Sequence, residues 1–152
     1  MSNYNDEALA YYGLKEAAPR GQSNQRAIDE QSEKQDPKIM YLENQVGGPL
    51  PAKNKIPKQS KILYNYGYGG FGLSDLGQKV YKAIVGREFD DHRGDNRHDP
   101  VLLWVFDKLG SKKASGSSAK LRAMKVSGAY FIYEYDGSES VLQPSTVKWT
   151  KV

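Results

Sequence analysis

The stretch KILYNYGYGGFGLSDLGQKVYKAIVG, residues 61–86, decides the fold of this chain. Its first six residues alternate as in a β-strand, which puts Ile62, Tyr64 and Tyr66 on one face. A glycine-rich turn follows, and the stretch ends in an amphipathic helix. Everything after it has the pattern of a small folded domain, whereas residues 1–60 have the pattern of an extended arm.

The helix that follows the turn carries clear signals at both ends. Ser74 is a favourable N-cap, and Gly86 is the residue type that ends a helix in a left-handed conformation. Apolar residues at helical spacing lie between these two positions, and we expect them to face the core. They are Leu76, Val80, Ala83 and Ile84.

The turn itself, GYGGFG at residues 67–72, matches the G-x-G-x-x-G spacing of a dinucleotide-binding loop. That fingerprint works only inside a parallel βαβ unit, and no second buried strand follows the helix. A phosphate-binding nest at the helix start is the physical alternative. We predict a turn that defines the fold and binds no cofactor, because glycine permits a sharp reversal of the chain. Its residues are Gly67, Gly69, Gly70, Phe71 and Gly72.

The composition narrows the class of protein. The chain has 152 residues, a net charge of +4 and no cysteine, which excludes disulfides and thiolate metal sites. Residues 1–60 carry eight basic and eight acidic residues, whereas residues 61–152 carry fourteen and ten. The first residues lack the pattern of a secretory signal, and the longest apolar run, 101–106, is far shorter than a membrane span.

The remaining elements predict an α+β fold. Asp99-Pro100 starts a second helix, which is apolar on most sides and stops at Gly110. Strands are expected over 121–126, 130–135 and 138–143, with a hairpin turn at Asp136-Gly137 and a last edge strand over 147–152. We therefore predict two helices on a small, mostly antiparallel sheet over residues 61–152, preceded by a long extended arm over 1–60.

Residues 87–99, REFDDHRGDNRHD, contain both histidines of the chain among four aspartates. The spacing of His92 and His98 matches no metal-ligand template, and the neighbouring Arg93 and Arg97 would repel a cation. A general acid–base pair has similar support but no nucleophile beside it. We predict a solvated loop with no metal, and no catalytic residue in the chain.

The arm has two interpretations. Residues 20–38 are polar and contain one large aliphatic residue, which is typical of a disordered tail. Alternatively, the arm is a tether that orders on a partner, with apolar and aromatic anchors along it. Under the second interpretation we expect partner contacts at Tyr4, Tyr11, Tyr12, Tyr41, Leu50 and the C-terminal Trp149.

Basic residues in the second half of the chain predict a different kind of partner. A phosphate-facing patch would make this a small nucleic-acid-binding or regulatory protein. The moderate net charge permits that function without arguing for it. The patch would consist of Lys112, Lys113, Lys120, Arg122 and Lys125.

Four motifs occur in an order that resembles a known family. They are YGGFGLS at 68–74, RHDP at 97–100, KLG at 108–110 and EYDGSE at 134–139. Together they resemble the YGGFxLS-type family of small proteins of phages and nucleocytoplasmic large DNA viruses. The match covers roughly residues 61–140 and leaves the arm outside.

The resemblance implies a non-enzymatic structural protein of the virion, because that family has no established catalytic chemistry. It implies a minor capsid protein that cements major and other minor capsid proteins in a multi-copy assembly. The expected location is the virion, after a stage in the host cytoplasm. Within such an assembly, the arm would be the tether inserted between neighbouring subunits.

Overall fold

The structure is a computed structural model that describes residues 36–93, 96–148 and 150. The chain divides into residues 1–36 and residues 37–152. All helices and strands of the described residues lie in the second unit. They are α1 (Pro37–Val46), a single 3-10 turn (Lys53–Lys55), β1 (Lys61–Asn65), α2 (Asp75–Val85), α3 (Pro100–Ala114), β2 (Leu121–Lys125), β3 (Phe131–Tyr135) and β4 (Ser138–Leu142).

The predicted α+β class is confirmed, although the strands form two sheets instead of one. β1 pairs antiparallel with β2, so that Leu63 lies opposite Ala123. β3 and β4 form a separate antiparallel hairpin. Its turn residues, Asp136 and Gly137, have φ angles of 49° and 77°, as the predicted tight turn requires.

The core lies between the three helices and the β1–β2 sheet. α3 is its main contributor, as its apolar sequence predicts. None of the residues in β3 or β4 belongs to this cluster. Its buried members include Leu42 and Val46 of α1, Leu63 of β1, Val80 and Tyr81 of α2, Val101, Leu102, Leu103, Val105 and Leu109 of α3, and Leu121 of β2.

Both predicted helix starts are present. The Ser74 hydroxyl accepts a hydrogen bond from the Gly77 N–H, and Gly86 ends α2 with φ 85°. The Asp99 carboxylate caps α3 by accepting from Val101 and Leu102. The expected apolar stripe of α2 needs one correction, because Ala83 is exposed and Tyr81 is buried instead.

The end of α3 differs from the prediction. Gly110, with φ 72° and ψ 161°, interrupts the helix where the sequence predicts its end. The helix then resumes as far as Ala114, four residues beyond the predicted end. Ala114 is fully buried, which explains why this last segment packs against the domain.

The folded unit begins earlier than the sequence suggests. Residues 37–60, predicted as arm, include α1 and contribute Leu42, Val46 and Ile56 to the core. The rest of the predicted arm, residues 1–35, lies outside the described residues. The expected strand over 147–152 is absent at residues 147, 148 and 150, and its other positions lie outside the description.

Candidate functional site

The glycine loop, residues 67–72, lies between two other backbone segments. A Cβ atom at Gly69 would overlap the carbonyl group of Ser118. A Cβ atom at Gly137 would lie 2.5 Å from the Gly70 nitrogen and the Tyr68 oxygen. Gly70 itself has φ 78°. These close approaches build the loop into the fold and require residues without side chains.

The start of α2, beside this loop, is in contact with the end of α3. The Ser74 N–H donates to the Ala114 carbonyl at 2.8 Å, and the Ser74 hydroxyl donates to the Lys113 carbonyl at 2.5 Å. All strand pairs among the described residues are antiparallel. The parallel βαβ unit that a dinucleotide fingerprint needs is therefore absent from residues 36–93 and 96–148.

Asn65, which is fully buried, joins three segments of the chain. Its Nδ2 donates to the carbonyls of Gly67 and Gly137, at 2.6 Å each. Its Oδ1 accepts from the N–H groups of Gly67, at 3.2 Å, and Lys120, at 2.7 Å. This one amide uses both donors and accepts twice, so it fixes the glycine loop, the start of β2 and the hairpin turn together.

A buried ion pair attaches the β3–β4 hairpin to the rest of the domain. Arg97 Nη2 donates to Glu139 Oε1 at 2.8 Å, and the side chains are only 5% and 3% exposed. The other carboxylate oxygen, Oε2, accepts from the Asn65 N–H at 2.7 Å. The Arg97 guanidinium also stacks on Phe71, with 3.3 Å between its central carbon and the ring centroid.

Burial shifts the pKa of two charged groups around this pair. Burial lowers the pKa of Arg97, whereas the negative charges of Glu139 and Asp91 raise it. Burial also raises the pKa of Asp91, and the nearby Arg97 opposes that shift. The sequence predicts a solvated loop over 87–99, and this prediction is wrong for Phe89 and Arg97, which are buried.

The two histidines do not form a shared site. The His92 N–H donates to Asp90 Oδ1 at 3.1 Å, whereas His98 Nδ1 lies 2.7 Å from the Tyr130 hydroxyl. Within the part of the chain that the structure describes, no group of three or more His, Asp and Glu side chains could hold a metal ion.

The outer side of the hairpin presents an aromatic face, defined here as Phe131, Tyr133, Tyr135 and Leu142. Phe131 lies directly opposite Leu142 in the register, and alternate residues of β3 share a side. The exposed fractions are 63% for Phe131, 52% for Tyr133, 70% for Tyr135 and 40% for Leu142. Glu139 is buried from the opposite side of the hairpin, so the aromatic face points away from the ion pair.

A second surface feature is a cationic cleft of about 580 Å³ between the end of α3 and the start of β2. Lys112, Lys120 and Arg122 line it, together with Tyr66. The Arg122 guanidinium lies over the Tyr66 ring, 3.8 Å from its centroid. The cleft is also lined by Ser111, Ser115, Gly116, Ser117, Ala119 and Leu121, and so by no acidic residue.

The residues predicted to bind partners have different environments in the structure. Tyr41 lies on α1 and is 56% exposed, as a contact residue would be. Leu50 is instead partly buried against the core, and its N–H donates to Glu43 Oε1 at 3.2 Å. Tyr4, Tyr11, Tyr12 and Trp149 lie outside the described residues.

Sequence reasoning missed the aromatic face and the buried network. The face had a visible signal, since residues 131, 133 and 135 repeat aromatic side chains at the period of a strand. Asn65, Arg97 and Glu139 had none, because the bonds that join them to one another and to Gly137 span 42 to 74 residues of sequence.

None of the described helices has the length and apolar character to cross a bilayer. Comparison with protein-family models gave no match, and no curated protein and no solved structure matches the chain.

Proposed function

We propose that this protein is a non-enzymatic structural component of a virus particle, a minor capsid protein that attaches to larger capsid proteins. The observation that carries the proposal is the aromatic face of the hairpin. Three aromatic side chains, each more than half exposed, lie side by side there with Leu142. Clustered aromatic side chains are effective anchors in protein interfaces.

The support beneath the face suits a binding surface. The hairpin is fixed from its inner side by the Arg97–Glu139 pair and by Asn65, so the aromatic side chains project from a rigid base. A rigid base favours affinity, because less conformational freedom is lost when the partner binds. Exposed Tyr41 on α1 offers a second contact to a neighbouring subunit.

The virion context comes from the resemblance of four sequence motifs to the YGGFxLS-type family. The partner proposed is therefore a capsid protein with an apolar surface complementary to the aromatic face. The protein would assemble in many copies, and residues 1–36 would act as the remaining part of the tether that the sequence predicts over 1–60. No catalytic residue and no cofactor enter this proposal.

The test is mass spectrometry of purified particles of the virus that encodes this chain. We expect the protein in the particles at a fixed ratio to the major capsid protein. The double variant Tyr133→Ser/Tyr135→Ser should fold but be lost from particles. Tyr68→Ser is the matched control, because Tyr68 is 76% exposed but lies on the glycine loop.

Two results would refute the proposal. The first is the absence of the wild-type protein from purified particles. The second is normal incorporation of the Tyr133→Ser/Tyr135→Ser variant, which would show that the aromatic face does not make the contact.

A further inference from the structure

The cationic cleft has the features of a binding site for phosphate and for a flat ring. We propose that it binds single-stranded nucleic acid, with phosphates on Lys112, Lys120 and Arg122 and a base stacked on Tyr66. This inference is independent of the proposed attachment to capsid proteins. The cleft lies at the end of α3 and the start of β2, whereas the aromatic face lies on β3 and β4.

The cleft carries a concentrated positive charge. Lys112, Lys120 and Arg122 are exposed and line one cleft. The ion pairs that join residues of the described ranges involve other cations, namely Lys61, Lys82 and Arg97. Three positive charges without an acidic neighbour in the lining attract a polyanion and bind its phosphates with release of counterions.

The cleft also contains an aromatic ring, that of Tyr66. Tyr66 is 55% exposed even though the Arg122 guanidinium covers one face of its ring at 3.8 Å. A base can stack on the exposed part of this ring or on the guanidinium plane of Arg122, and such stacking tolerates any base sequence.

Hydrogen bonds between the surrounding segments make the walls of the cleft rigid. The Ser115 hydroxyl accepts from the Leu121 N–H at 2.9 Å, and the Ser111 hydroxyl donates to the Leu121 carbonyl at 2.6 Å. The Tyr66 N–H donates to the Lys120 carbonyl at 2.9 Å. These bonds hold α3, β1 and β2 in place around the cleft before a ligand arrives.

The size of the cleft favours a single strand over a duplex as the ligand. The cleft volume of about 580 Å³ falls in the range of sites for small molecules. A stacked base must also be free of its neighbours and of its pairing partner to reach Tyr66. The structure therefore favours an unpaired strand, whose bases can turn outward.

Only three of the five cations predicted from the sequence meet at this cleft. Lys113 is exposed but does not line it. Lys125 lies at the far end of β2, opposite Lys61, about 13 Å along the strand from Leu121. These two residues therefore provide matched controls of equal charge.

The experiment measures fluorescence anisotropy of a labelled fifteen-nucleotide oligothymidylate with the full-length protein, at several salt concentrations. We expect saturable binding whose affinity falls with salt with a slope near 2, since each phosphate contacted on a single strand contributes about 0.7. Arg122→Gln or Lys120→Gln should lower that slope by about 0.7, whereas Lys113→Gln and Lys125→Gln should leave it unchanged.

Substitutions of Tyr66 test the stacking. Tyr66→Leu should weaken binding by about 5- to 150-fold, and Tyr66→Phe should retain the affinity of the wild type. Thermal unfolding of each variant identifies any that fail to fold, and Tyr66→Phe then remains as the readout of the ring. Equal effects of Leu and Phe would overturn the stacking contact.

Competitors identify the ligand class. Unlabelled oligothymidylate should displace the probe, whereas duplex DNA of equal length, inorganic polyphosphate and polyglutamate should compete at least tenfold less well. Equal competition by any of these three would overturn the proposal in favour of a duplex, a bare phosphate or an acidic protein segment. Absence of probe binding at low salt would overturn it as well.

Discussion

The guanidinium of Arg97 and the carboxylate of Glu139 meet at 2.8 Å, and both are almost completely removed from solvent. This pair joins the hairpin to a domain whose apolar core contains no hairpin residue. The Nε and Nη1 atoms of Arg97 are buried and have no hydrogen-bond partner among the described residues. The attachment of the hairpin thus depends on a small number of buried polar contacts.

Removing one member of the pair should destabilise the protein strongly. We expect Glu139→Gln or Arg97→Met to lower the free energy of unfolding by about 3–5 kcal/mol, because the remaining charge stays buried. Urea denaturation measures the change. The control is Glu88→Gln, which breaks the exposed Lys82–Glu88 pair and should cost about 0–1 kcal/mol. Equal losses for Glu139→Gln and Glu88→Gln would contradict a structural role of the buried pair.

Asn65→Asp should destabilise the protein despite its unchanged shape. A carboxylate cannot donate to the carbonyls of Gly67 and Gly137, and each unpaired buried group costs about 1–3 kcal/mol. Chemical denaturation of this variant measures the cost. Asn54→Asp, at an exposed position, is the matched control and should change stability little. A wild-type midpoint for Asn65→Asp would argue against the network.

Alanine substitutions should separate close packing from backbone conformation. Gly69→Ala should cost about 1–3 kcal/mol, because the new methyl group overlaps the Ser118 backbone. Gly70→Ala has open space but a φ of 78°, so it should cost about 1–2 kcal/mol. Gly48→Ala has neither feature and serves as the control. Melting temperatures rank the three, and a neutral Gly69→Ala would refute the close approach.

Stability should fall at high pH because of one phenol. Tyr81 donates to Asp99 Oδ2 at 3.0 Å, and burial, followed by the negative charge of Asp99, raises its pKa from 10.0 to about 12. A raised pKa means that the folded state holds the proton more tightly than the unfolded state. The stabilisation from this group is therefore complete below pH 10 and is lost as the pH rises to 12.

Tyr81→Phe tests this pH dependence. The variant should lose about 1.5–3 kcal/mol of unfolding free energy at pH 8, since the hydrogen bond to a charged acceptor is absent. The difference from wild type should then shrink between pH 10 and pH 12. Denaturation series at these pH values provide the measurement, and a difference that stays constant up to pH 12 would exclude Tyr81 as its source.

Truncation should locate the start of the folded unit. A chain that lacks residues 1–35 should unfold cooperatively at close to the wild-type temperature. A chain that lacks residues 1–60 should be much less stable, because it loses Leu42, Val46 and Ile56 from the core. Calorimetry of both compares them, and equal stability of the two would show that α1 adds nothing to the domain.

The parts of the fold that sequence reasoning predicts are those with local signals. Ser74 and Asp99 cap their helices within three residues, and the Asp136-Gly137 turn closes strands that adjoin it. α1 was missed even though it has local signals at both ends. Asp36-Pro37 repeats the Asp-Pro start of α3, and Gly47, with φ 75°, follows the last residue of α1. The polar run over residues 20–38 outweighed these signals, and only Leu42 and Val46 of α1 are buried.

The buried network was not predictable, for a physical reason. A charged residue in a polar run such as 87–99 is normally solvated, and only a distant partner makes burial favourable. For Arg97 that partner is 42 residues later in the chain. The same limit applies to the cationic cleft, since the strand pairing of β1 with β2 brings Tyr66 to Arg122.

The enclosed glycine loop has a consequence for how the chain folds during synthesis. The loop needs Ser118 on one side and Gly137 on the other, and Asn65 reaches Glu139 across 74 residues of sequence. When the loop leaves the ribosome, Ser118 and Gly137 have not yet been synthesised. The loop therefore stays accessible to chaperones and proteases until the hairpin emerges. Closure of such long-range contacts is slow, so we expect this loop to be the last part of the domain to become protected.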